Sequence, residues 1–317
     1  MDKKIVLGVL AFNEENYIEK VITDLVSLDL PILIINDSST DHTENIISQF
    51  LDKENIELIN NSKNLGAGES TKILLETAKN KNYDFLIKVD GDNQFSIQDV
   101  KKIKDLYLRD DYEFIKSNRF WKEGIIGKIP KIRFFGNLFA TILMQLSAGT
   151  NKLLDPLNGL FGISLNINKF LDDKNYPKRY GYPYFLTIAA IINQFKTYQI
   201  NNVVKYENQN SQINSFKMFF LLLKLSILFY FKKLSIKKIT GSLQRSAFFD
   251  IFFLFLLFIT ICFFGLLIYL AFYAEFSYLS STSLLIIFIF LLIATIFVFG
   301  ISFKEEIKIR EKYIEVD

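Results

Sequence analysis

The chain has 317 residues, of which half are hydrophobic, and its formal net charge is only +3. The length suits one α/β domain with an appendage, and the near-neutral charge argues against nucleic acid as a partner. A single histidine (His42) and a single cysteine (Cys262) argue against a histidine-rich zinc site, a Ser-His-Asp triad and an internal disulfide.

The front of the chain alternates between short apolar runs and segments of helical periodicity. The runs predict four buried strands: Ile5–Ala11, Pro31–Ile35, Ile56–Ile59 and Phe85–Val89. The periodic segments predict four helices: Glu14–Leu28, Asp41–Leu51, Gly68–Lys79 and Ile97–Leu108. Because strands and helices alternate, the sheet should be mostly parallel. Ligands of such sheets bind beyond the carboxyl ends of the strands.

A polar cluster follows each predicted strand, and the fourth cluster has the composition of a metal site. It places Asp90, Asp92 and Gln94 at alternate positions, where the side chains of an extended segment point the same way. Two carboxylates and an amide oxygen suit Mg²⁺ or Mn²⁺, which would bind the diphosphate of a nucleotide sugar. The plain alternative is a solvated Asp-Gly turn.

The first three clusters supply candidate nucleotide contacts. Asp37 is placed to accept hydrogen bonds from a base or ribose, although it could instead cap the next helix, as Asp41 also could. Glu14 has the same two interpretations, which stay open. The run from Asn64 to Gly68 is a glycine-containing loop that would let a nucleotide approach the backbone closely. The chain has no P-loop motif, which argues against a kinase or an ATPase.

The rear of the chain predicts a membrane anchor. Ala247–Ala274 and Leu284–Phe303 are almost wholly apolar, and each is long enough to span a bilayer. The connection Glu275–Ser283 has no Lys or Arg, whereas basic residues flank both spans. These are Lys232, Lys233, Lys237, Lys238, Arg245, Lys304, Lys308, Arg310 and Lys312. The positive-inside rule therefore predicts a multi-pass plasma (inner) membrane protein whose N-terminal domain is cytoplasmic.

The segment Asn214–Leu234 mixes Phe, Leu and Ile with recurring lysines, which predicts a helix lying in the headgroup plane. A third short span and a helix packed on the soluble domain are the alternatives. The predicted organisation is a cytoplasmic domain over 1–212, interface helices over 213–245, a transmembrane hairpin over 246–304 and a cytoplasmic tail over 305–317.

Four motifs in this order resemble the inverting family 2 glycosyltransferases. They are Ala11–Glu15, Ile35–Asp41, Asn64–Gly66 and Val89–Gln94. Within that family the chain most resembles the polyprenyl-phosphate (dolichyl-phosphate) mannosyl- and glucosyltransferases. The resemblance implies an α/β domain of the glycosyltransferase A type. It also implies transfer of a sugar from a UDP- or GDP-sugar to a polyprenyl phosphate in the lipid bilayer, for glycan or cell-envelope assembly.

The same resemblance implies roles for particular residues. Mg²⁺ or Mn²⁺ would be held by Asp90, Asp92 and Gln94. The donor would be contacted by Ala11, Asn13, Glu14, Asp37, Asn64, Gly66 and Asp90. Arg119 and Arg133 match the family's phosphate-holding arginines, and Asp155–Phe161 resembles its acceptor-side segment, so the implied catalytic residues are Asp92, Arg119, Arg133 and Asp155. A permanently charged fork suits a lipid phosphate, although each arginine could be an ordinary surface charge.

The chain departs from the family in two places. Ala11-Phe12 stands where Pro-x-Tyr is usual, and Lys205–Ser211 contains no Arg where mannosyltransferases carry a basic segment. We expect that loop to close over the donor, with Lys205 or Gln209 taking part, and the sugar donor stays open. Two rival functions remain: a family 2 transferase that uses Asp155 as base toward a glycan or lipid hydroxyl, and a non-catalytic membrane partner that binds nucleotide sugar. A homo-oligomer is left open.

Overall fold

The structure of the chain is a computed structural model, which describes residues 3–52, 55–121, 125–126, 131–205, 214–239, 245–273 and 278–317. The chain forms two compact units. The first runs as far as Phe229 and takes in Tyr313–Asp317, and the second is Tyr230–Lys312. The first unit carries the β-sheet, and the second carries the long apolar helices.

The strands in chain order are β1 (Ile5–Ala11), β2 (Ile32–Asn36), β3 (Ile56–Asn60), β4 (Phe85–Asp90), β5 (Phe114–Asn118), β6 (Ile125–Ile126), β7 (Phe161–Ser164), β8 (Thr197–Asn201), β9 (Val204–Lys205) and β10 (Ile314–Val316). The helices are α1 (Ile18–Val26), α2 (Thr43–Ser48), α3 (Ala67–Asn80), α4 (Ile97–Asp110), α5 (Lys131–Ala148), α6 (Tyr182–Ile192), α7 (Ser215–Ile239), α8 (Arg245–Tyr273) and α9 (Tyr278–Arg310). Two 3-10 helices cover Leu165–Phe170 and Glu311–Tyr313.

Eight strands form one sheet in the order β10-β8-β5-β7-β4-β1-β2-β3. Only β7 is antiparallel, to its neighbours β4 and β5, and the other pairs of this sheet are parallel. The prediction of a mostly parallel sheet is therefore confirmed. Strands β6 and β9 pair separately.

The first four strands and helices form where the apolar pattern predicts them, with small shifts at their ends. Every residue of β1 and β2 is buried, as expected for parallel strands covered on both faces. Helix α1 buries Ile18 and Ile22 on one face, as its periodicity requires. It begins at Ile18 rather than at Glu14 because a turn precedes it, in which the Tyr17 N–H donates to the Glu14 carbonyl at 2.9 Å.

Helix α5 and the first half of α7 expose large apolar side chains. They are Ile132, Phe134, Phe135, Leu138 and Ile142 on α5, and Phe216, Phe219, Phe220 and Ile227 on α7. The two helices touch, because the rings of Phe139 and Phe219 stack with centroids 4.7 Å apart. We call these exposed side chains the α5–α7 apolar surface; a patch of this kind marks an interaction site. The sequence pattern identified α7 but not α5.

The second unit contains two helices that are long and apolar enough to cross a membrane, Arg245–Phe272 and Thr282–Tyr313. In the most apolar stretch of each helix, only 6% and 11% of the residues are buried within the protein. Most of their apolar side chains are therefore exposed, and exposure of so large an apolar surface to water is unfavourable. Both predicted spans therefore have the length and composition of membrane helices.

Polar side chains in this unit lie against one another. The Tyr230 hydroxyl donates to Asp250 at 3.0 Å, and the Ser302 hydroxyl donates to the same carboxylate. Arg310 pairs with Glu306 at 3.1 Å, and both are almost fully buried. Arg310 therefore serves an ion pair inside the unit, although the sequence pattern placed it among the flanking surface charges. Buried pairing is how ionisable groups are accommodated near apolar helices.

The predicted C-terminal tail differs from the structure. Helix α9 continues to Arg310, and Ile314–Val316 forms β10, which pairs in parallel with β8 of the first unit. Asp317 follows and pairs with Lys102 at 2.6 Å. These last residues are apolar at only two positions, too few for the sequence pattern to indicate a strand.

Candidate active site

Three carboxylates meet where β1 and β4 end. The two strands are parallel neighbours, with Leu10 in register with Asp90, so the residues that follow them lie side by side. Asp90 ends β4, and Asp92 comes two residues later. A Cβ built on Gly91 would lie 3.5 Å from Cγ of Glu14. Glu14 therefore lies over the turn that joins the two aspartates.

The charges of Glu14 and Asp92 are poorly compensated. Burial, followed by the charges of Asp92 and Asp90, raises the pKa of Glu14 to about 8. Burial and the charge of Asp90 raise the pKa of Asp92 to about 7. Clustered carboxylates of this kind are what a bound divalent cation neutralises.

The predicted metal ligands fit a hard cation by their chemistry. Asp90 and Asp92 offer carboxylate oxygens, and Gln94 offers an amide oxygen. The Gln94 N–H donates to the Asp92 carboxylate at 3.2 Å, which keeps these two residues together. In the described part of the chain, no group of three or more His, Cys, Asp or Glu side chains is arranged to hold a metal ion. Mg²⁺ or Mn²⁺ would therefore depend on the amide as well as the two aspartates.

The loops after β1 and β2 are tied to each other. Asn13 has a positive φ of 57°, and its side-chain oxygen accepts a hydrogen bond from the Thr40 N–H at 2.8 Å. Asp41 accepts hydrogen bonds from the Thr43 and Glu15 N–H groups at 3.0 and 3.2 Å. Asp41 thus supports the first turn of α2 and ties it to the loop that carries Asn13 and Glu14.

Asp37 holds the glycine loop. Its buried carboxylate accepts hydrogen bonds from the Leu65 N–H at 2.9 Å, the Gly66 N–H at 2.8 Å and the Asn61 amide at 2.8 Å. The side-chain oxygen of Asn64 is buried without a hydrogen-bond partner in the described part of the chain, as expected of a group that awaits a ligand or water. Direct contact of Asp37 or Asn64 with a nucleotide stays a prediction.

The glycines of this loop serve packing. A Cβ on Gly68 would lie 1.9 Å from the carbonyl oxygen of Pro177. The Gly68 N–H donates to the Arg179 carbonyl at 2.9 Å, and the Glu69 N–H donates to the Lys178 carbonyl at 2.7 Å. The first amides of α3 are therefore satisfied within the protein, which leaves no anion site at these amides. The close approach at Gly68 is to the chain itself.

Arg119 and Asp155 form a buried ion pair. Asp155 is fully buried and lies 3.0 Å from Nε and 3.1 Å from Nη2 of Arg119. Its carboxylate also accepts hydrogen bonds from the Arg119 N–H at 3.1 Å and the Asn158 amide at 3.0 Å. The Arg119 side chain keeps 16% of its surface exposed. Asp155 therefore fixes the direction of a cation that can still be reached from outside.

Arg133 lies on α5, and the residue after it, Phe134, contacts Phe120, the residue after Arg119. The rings of Phe120 and Phe134, each the residue after one of the two arginines, meet edge to face with centroids 5.8 Å apart. The structure thus brings the two predicted phosphate-binding segments together. It also joins them to the α5–α7 apolar surface, to which Phe134 belongs.

Two functional predictions fall partly outside the described residues. The loop Lys205–Ser211 was predicted to close over the donor, and Gln209 lies outside the described part of the chain. Lys205 ends β9, where its backbone pairs with Ile126. Their predicted contact with the donor stays a prediction.

Sequence reasoning missed two lysines next to these clusters. Lys88 and Lys116 are completely buried in β4 and β5. Lys88 bonds to Asp90, and Lys116 bonds to the carbonyl oxygen of Asn158. The available signal was Lys88 inside the apolar run of β4, a position that charged residues occupy only when they are paired. Lys116 gave no such signal, because Ser117 and Asn118 follow it in β5.

Comparison with known families settles the class of protein. The family model described as "Glycosyl transferase family 2" matches residues 7–168. The chain belongs to this family. As a family 2 glycosyltransferase it is a transferase that uses a nucleotide-sugar donor, and both predictions are confirmed at this level.

The fold of this family 2 glycosyltransferase is shared with solved structures. Glucosyl-3-phosphoglycerate synthase from Mycobacterium tuberculosis, in complex with Mn²⁺, UDP-glucose and phosphoglyceric acid, is 19% identical with a TM-score of 0.54. The match covers 71% of this chain and 80% of that one. Its complex with phosphoglyceric acid gives a TM-score of 0.55 at 20% identity, with the same coverage. The predicted glycosyltransferase A-type α/β fold is therefore confirmed.

Three relatives of this glycosyltransferase are informative. An uncharacterised protein of Methanocaldococcus jannaschii is 34% identical over 143 residues, which cover 43% of this chain and 59% of that protein. A UDP-N-acetylglucosamine–dolichyl-phosphate N-acetylglucosaminyltransferase of Methanococcus voltae is 25% identical over 193 residues, covering 56% and 76%. A poly-β-1,6-N-acetyl-D-glucosamine synthase of Staphylococcus epidermidis is 26% identical over 160 residues, covering 47% and 36%.

Proposed function

We propose that this glycosyltransferase transfers a sugar from a UDP- or GDP-sugar to a polyprenyl phosphate, with inversion at the anomeric carbon. The observation that carries the proposal is that the Arg119 segment contacts the exposed apolar surface of α5 through Phe120 and Phe134. A lipid phosphate offers the two chemistries that this arrangement would bind, a charged head and an apolar chain.

The apolar chain of the acceptor would be presented by a bilayer. The α5–α7 apolar surface is part of the unit that carries the sheet, and apolar helix faces of this kind insert into the interfacial layer of a membrane. The two long apolar helices of the second unit support the same location. The relative from Methanococcus voltae is named for a dolichyl-phosphate acceptor, which supports this class.

The charged head of the acceptor would be bound by Arg119 and Arg133. A guanidinium group matches a phosphate with two parallel hydrogen bonds and stays charged at all accessible pH values. The ion pair with Asp155 holds Arg119 in one orientation. Orientation of this kind contributes to rate by reducing the entropy lost on reaching the transition state.

A phosphate acceptor also fits the lack of a free base at Asp155. A phosphate oxygen is already ionised at neutral pH, so its attack on the anomeric carbon releases no proton that a side chain must accept. The bond between that carbon and the donor's diphosphate oxygen breaks as the new bond forms, and UDP or GDP leaves with the bonding electrons. Both oxygens of Asp155 are engaged by Arg119 and Asn158, which makes Asp155 a poor base toward a hydroxyl.

The donor side would hold the leaving group. Asp90, Asp92 and Gln94 would bind Mg²⁺ or Mn²⁺, which supplies positive charge to the diphosphate. Glu14 and Asn13 would contact the nucleotide from the loop after β1, and Asp37 would place the Asn64–Gly66 loop beside it. The location that follows is the cytoplasmic face of the plasma membrane, where nucleotide sugars are available.

The alternative acceptor is a glycan or lipid hydroxyl. The similarity to the polysaccharide synthase of Staphylococcus epidermidis favours it, although that match covers only 36% of the synthase. It needs a catalytic base, and Asp155 was the residue predicted for that role.

An acceptor comparison in detergent micelles separates the two. The full chain is given radiolabelled UDP- or GDP-sugars with polyprenyl phosphate, with the matching polyprenol, or with a soluble glycan. We expect acid-labile label on polyprenyl phosphate, none on polyprenol, and none in the Asp92→Asn control. Label on the glycan or the polyprenol, with none on polyprenyl phosphate, would overturn the proposal.

A further inference from the structure

Two buried lysines lie under the proposed site without belonging to it. Lys88 of β4 and Lys116 of β5 are both 0% exposed. Each is in register with Phe161 of β7, the strand between them. Residues in register project from the same face of a sheet, so the two lysines flank Phe161 on one face.

Lys88 holds the donor-side carboxylate. Its ammonium group bonds to Oδ1 of Asp90 and lies 5.5 Å from the ring centre of Tyr182. A Cβ on Gly159 would lie 2.2 Å from Oδ2 of the same carboxylate. Asp90 is thus bonded on one oxygen and closely packed on the other, so its side chain has a single available orientation.

Lys116 holds the acceptor-side segment. Its ammonium group donates to the carbonyl oxygen of Asn158. The Asn158 amide donates to Asp155, and Asp155 pairs with Arg119. The position of Lys116 is therefore transmitted to Arg119 through three consecutive contacts, by way of Asn158 and Asp155.

The segment from Asp155 to Phe161 connects the two ends. Asp155 meets Arg119 at its beginning, and Gly159 meets Asp90 near its end. A shift of this segment would move the partner of the acceptor arginine and the packing of the donor carboxylate together. The two lysines are placed to prevent that shift, one at each strand.

A purely structural role does not explain a charge at Lys116. Burial lowers the pKa of Lys116 to about 7; the charges of Asp155 and Asp90 oppose this shift, and those of Arg119 and Lys88 add to it. Methionine has a similar length and would fill the same space without a desolvated ammonium group. A residue that destabilises the fold in this way is expected where function requires it.

We propose that Lys88 and Lys116 are positioning residues of the glycosyl transfer, Lys88 for the Asp90 carboxylate on the donor side and Lys116 for the Arg119–Asp155 pair on the acceptor side. The acceptor half rests on the proposed function. The donor half rests only on the binding of a nucleoside diphosphate with a divalent cation.

The donor half is tested by calorimetric binding of UDP and GDP with MnCl₂ to the full chain in detergent. We expect Lys88→Met to weaken binding about 10–100-fold, the range found when a ligand-orienting partner is removed. Lys88→Met combined with Asp90→Asn should bind no worse than Asp90→Asn alone, because Lys88 acts through Asp90. Lys88→Gln, which keeps a donor to Asp90, should bind more tightly than Lys88→Met; if Lys88→Met does not fold, Lys88→Leu takes its place. The exposed ion-pair variant Lys102→Met should bind as the wild type does.

The acceptor half is tested by kinetics and by fluorescence. Lys116→Met should raise KM for polyprenyl phosphate or lower kcat about 100-fold, the effect of a 1 Å misplacement, with Mn-UDP and Mn-GDP binding unchanged. Trp121, the only tryptophan, donates to the Asn202 carbonyl at 2.7 Å, and the Asn158 amide contacts the Asn202 side chain at 3.4 Å. Acrylamide quenching of Trp121 should therefore change in Lys116→Met and stay unchanged in Lys88→Met.

The thermal midpoint separates positioning from support of the fold. We expect Lys116→Met to keep or raise the midpoint while it loses activity. The proposal is overturned if Lys116→Met lowers the thermal midpoint and weakens both nucleotide binding and the kinetics with polyprenyl phosphate. It is also overturned if neither lysine variant changes nucleotide binding or the quenching of Trp121. If the wild type transfers nothing to polyprenyl phosphate, the proposed function fails, whereas the calorimetric and quenching results still decide the role of each lysine.

Discussion

Replacing Asp155 by Asn tests the ion pair that orients Arg119. The backbone at this position has φ of 52°, a conformation that Asn adopts readily, so the change removes charge without backbone strain. Removing one partner of a buried pair destabilises a protein by about 3–5 kcal/mol. Because Arg119 keeps 16% of its side chain exposed, we expect the lower end, about 3 kcal/mol. In a domain of this size that corresponds to a thermal midpoint lower by roughly 6–12 °C.

The assay is thermal unfolding of the full chain in detergent, followed by the fluorescence of Trp121. The matched control is Asp172→Asn, which removes a carboxylate that is 84% exposed and pairs with Lys72 at 3.3 Å. An exposed pair of this kind contributes less than about 1 kcal/mol, so the control midpoint should hardly move. Activity toward polyprenyl phosphate should fall in Asp155→Asn and not in the control.

A double variant makes the reasoning refutable. Arg119→Met combined with Asp155→Asn removes both charges, so it should unfold at a higher temperature than Asp155→Asn alone. If the single variant unfolds within about 2 °C of the wild type, or the double variant is the less stable of the two, the pair does not hold Arg119 in the way described.

Three further predictions follow from the site. Gly159→Ala should reduce Mn-UDP and Mn-GDP affinity at least about tenfold, because the added Cβ would meet the Asp90 carboxylate at 2.2 Å; unchanged calorimetric affinity would count against the packing of Asp90. Asp92→Asn should reduce turnover about a thousandfold or more with the fold retained, and EDTA should do the same to the wild type; activity that survives EDTA would contradict a metal. Between about pH 7 and pH 10 the thermal midpoint of the wild type should rise relative to that of Lys116→Met, because the lowered pKa of Lys116 lets the folded protein release a proton that the unfolded chain retains up to the ordinary value of 10.5; the comparison with Lys116→Met removes the opposite contributions of Glu14 and Asp92, whose raised pKa values are common to both proteins.

Local patterns were sufficient for the front half of the sheet. The apolar runs of β1 and β4 start and end within one residue of the observed strands, because buried parallel strands are continuous apolar runs with polar residues at their ends. The convergence of Glu14 with Asp90 and Asp92 depends on the pairing of β1 with β4, which these patterns did not predict. The family match was carried by residues close together in the chain.

These patterns could not predict contacts between residues that are far apart in the chain. Asp155 is 36 residues from Arg119, and no periodicity pairs two charges at such a separation. Lys88 interrupts an apolar run, and Lys116 lies in a short segment that the pattern did not identify as a strand, so periodicity assigns neither lysine to a site. Helix α5 was missed because its exposed face is apolar, which a sequence pattern alone does not distinguish from a buried face.

The pairing of β10 with β8 has a consequence for biosynthesis. Ile314 lies in register with Thr197, so this edge of the sheet is completed only after both long apolar helices have been synthesised. Domains fold as they are synthesised, and until that moment β8 presents an open edge on which strands of other chains can add. Both long apolar helices are translated in the interval between β8 and β10. A chain that stopped before Ile314 would therefore carry both helices and a sheet with one edge still unpaired.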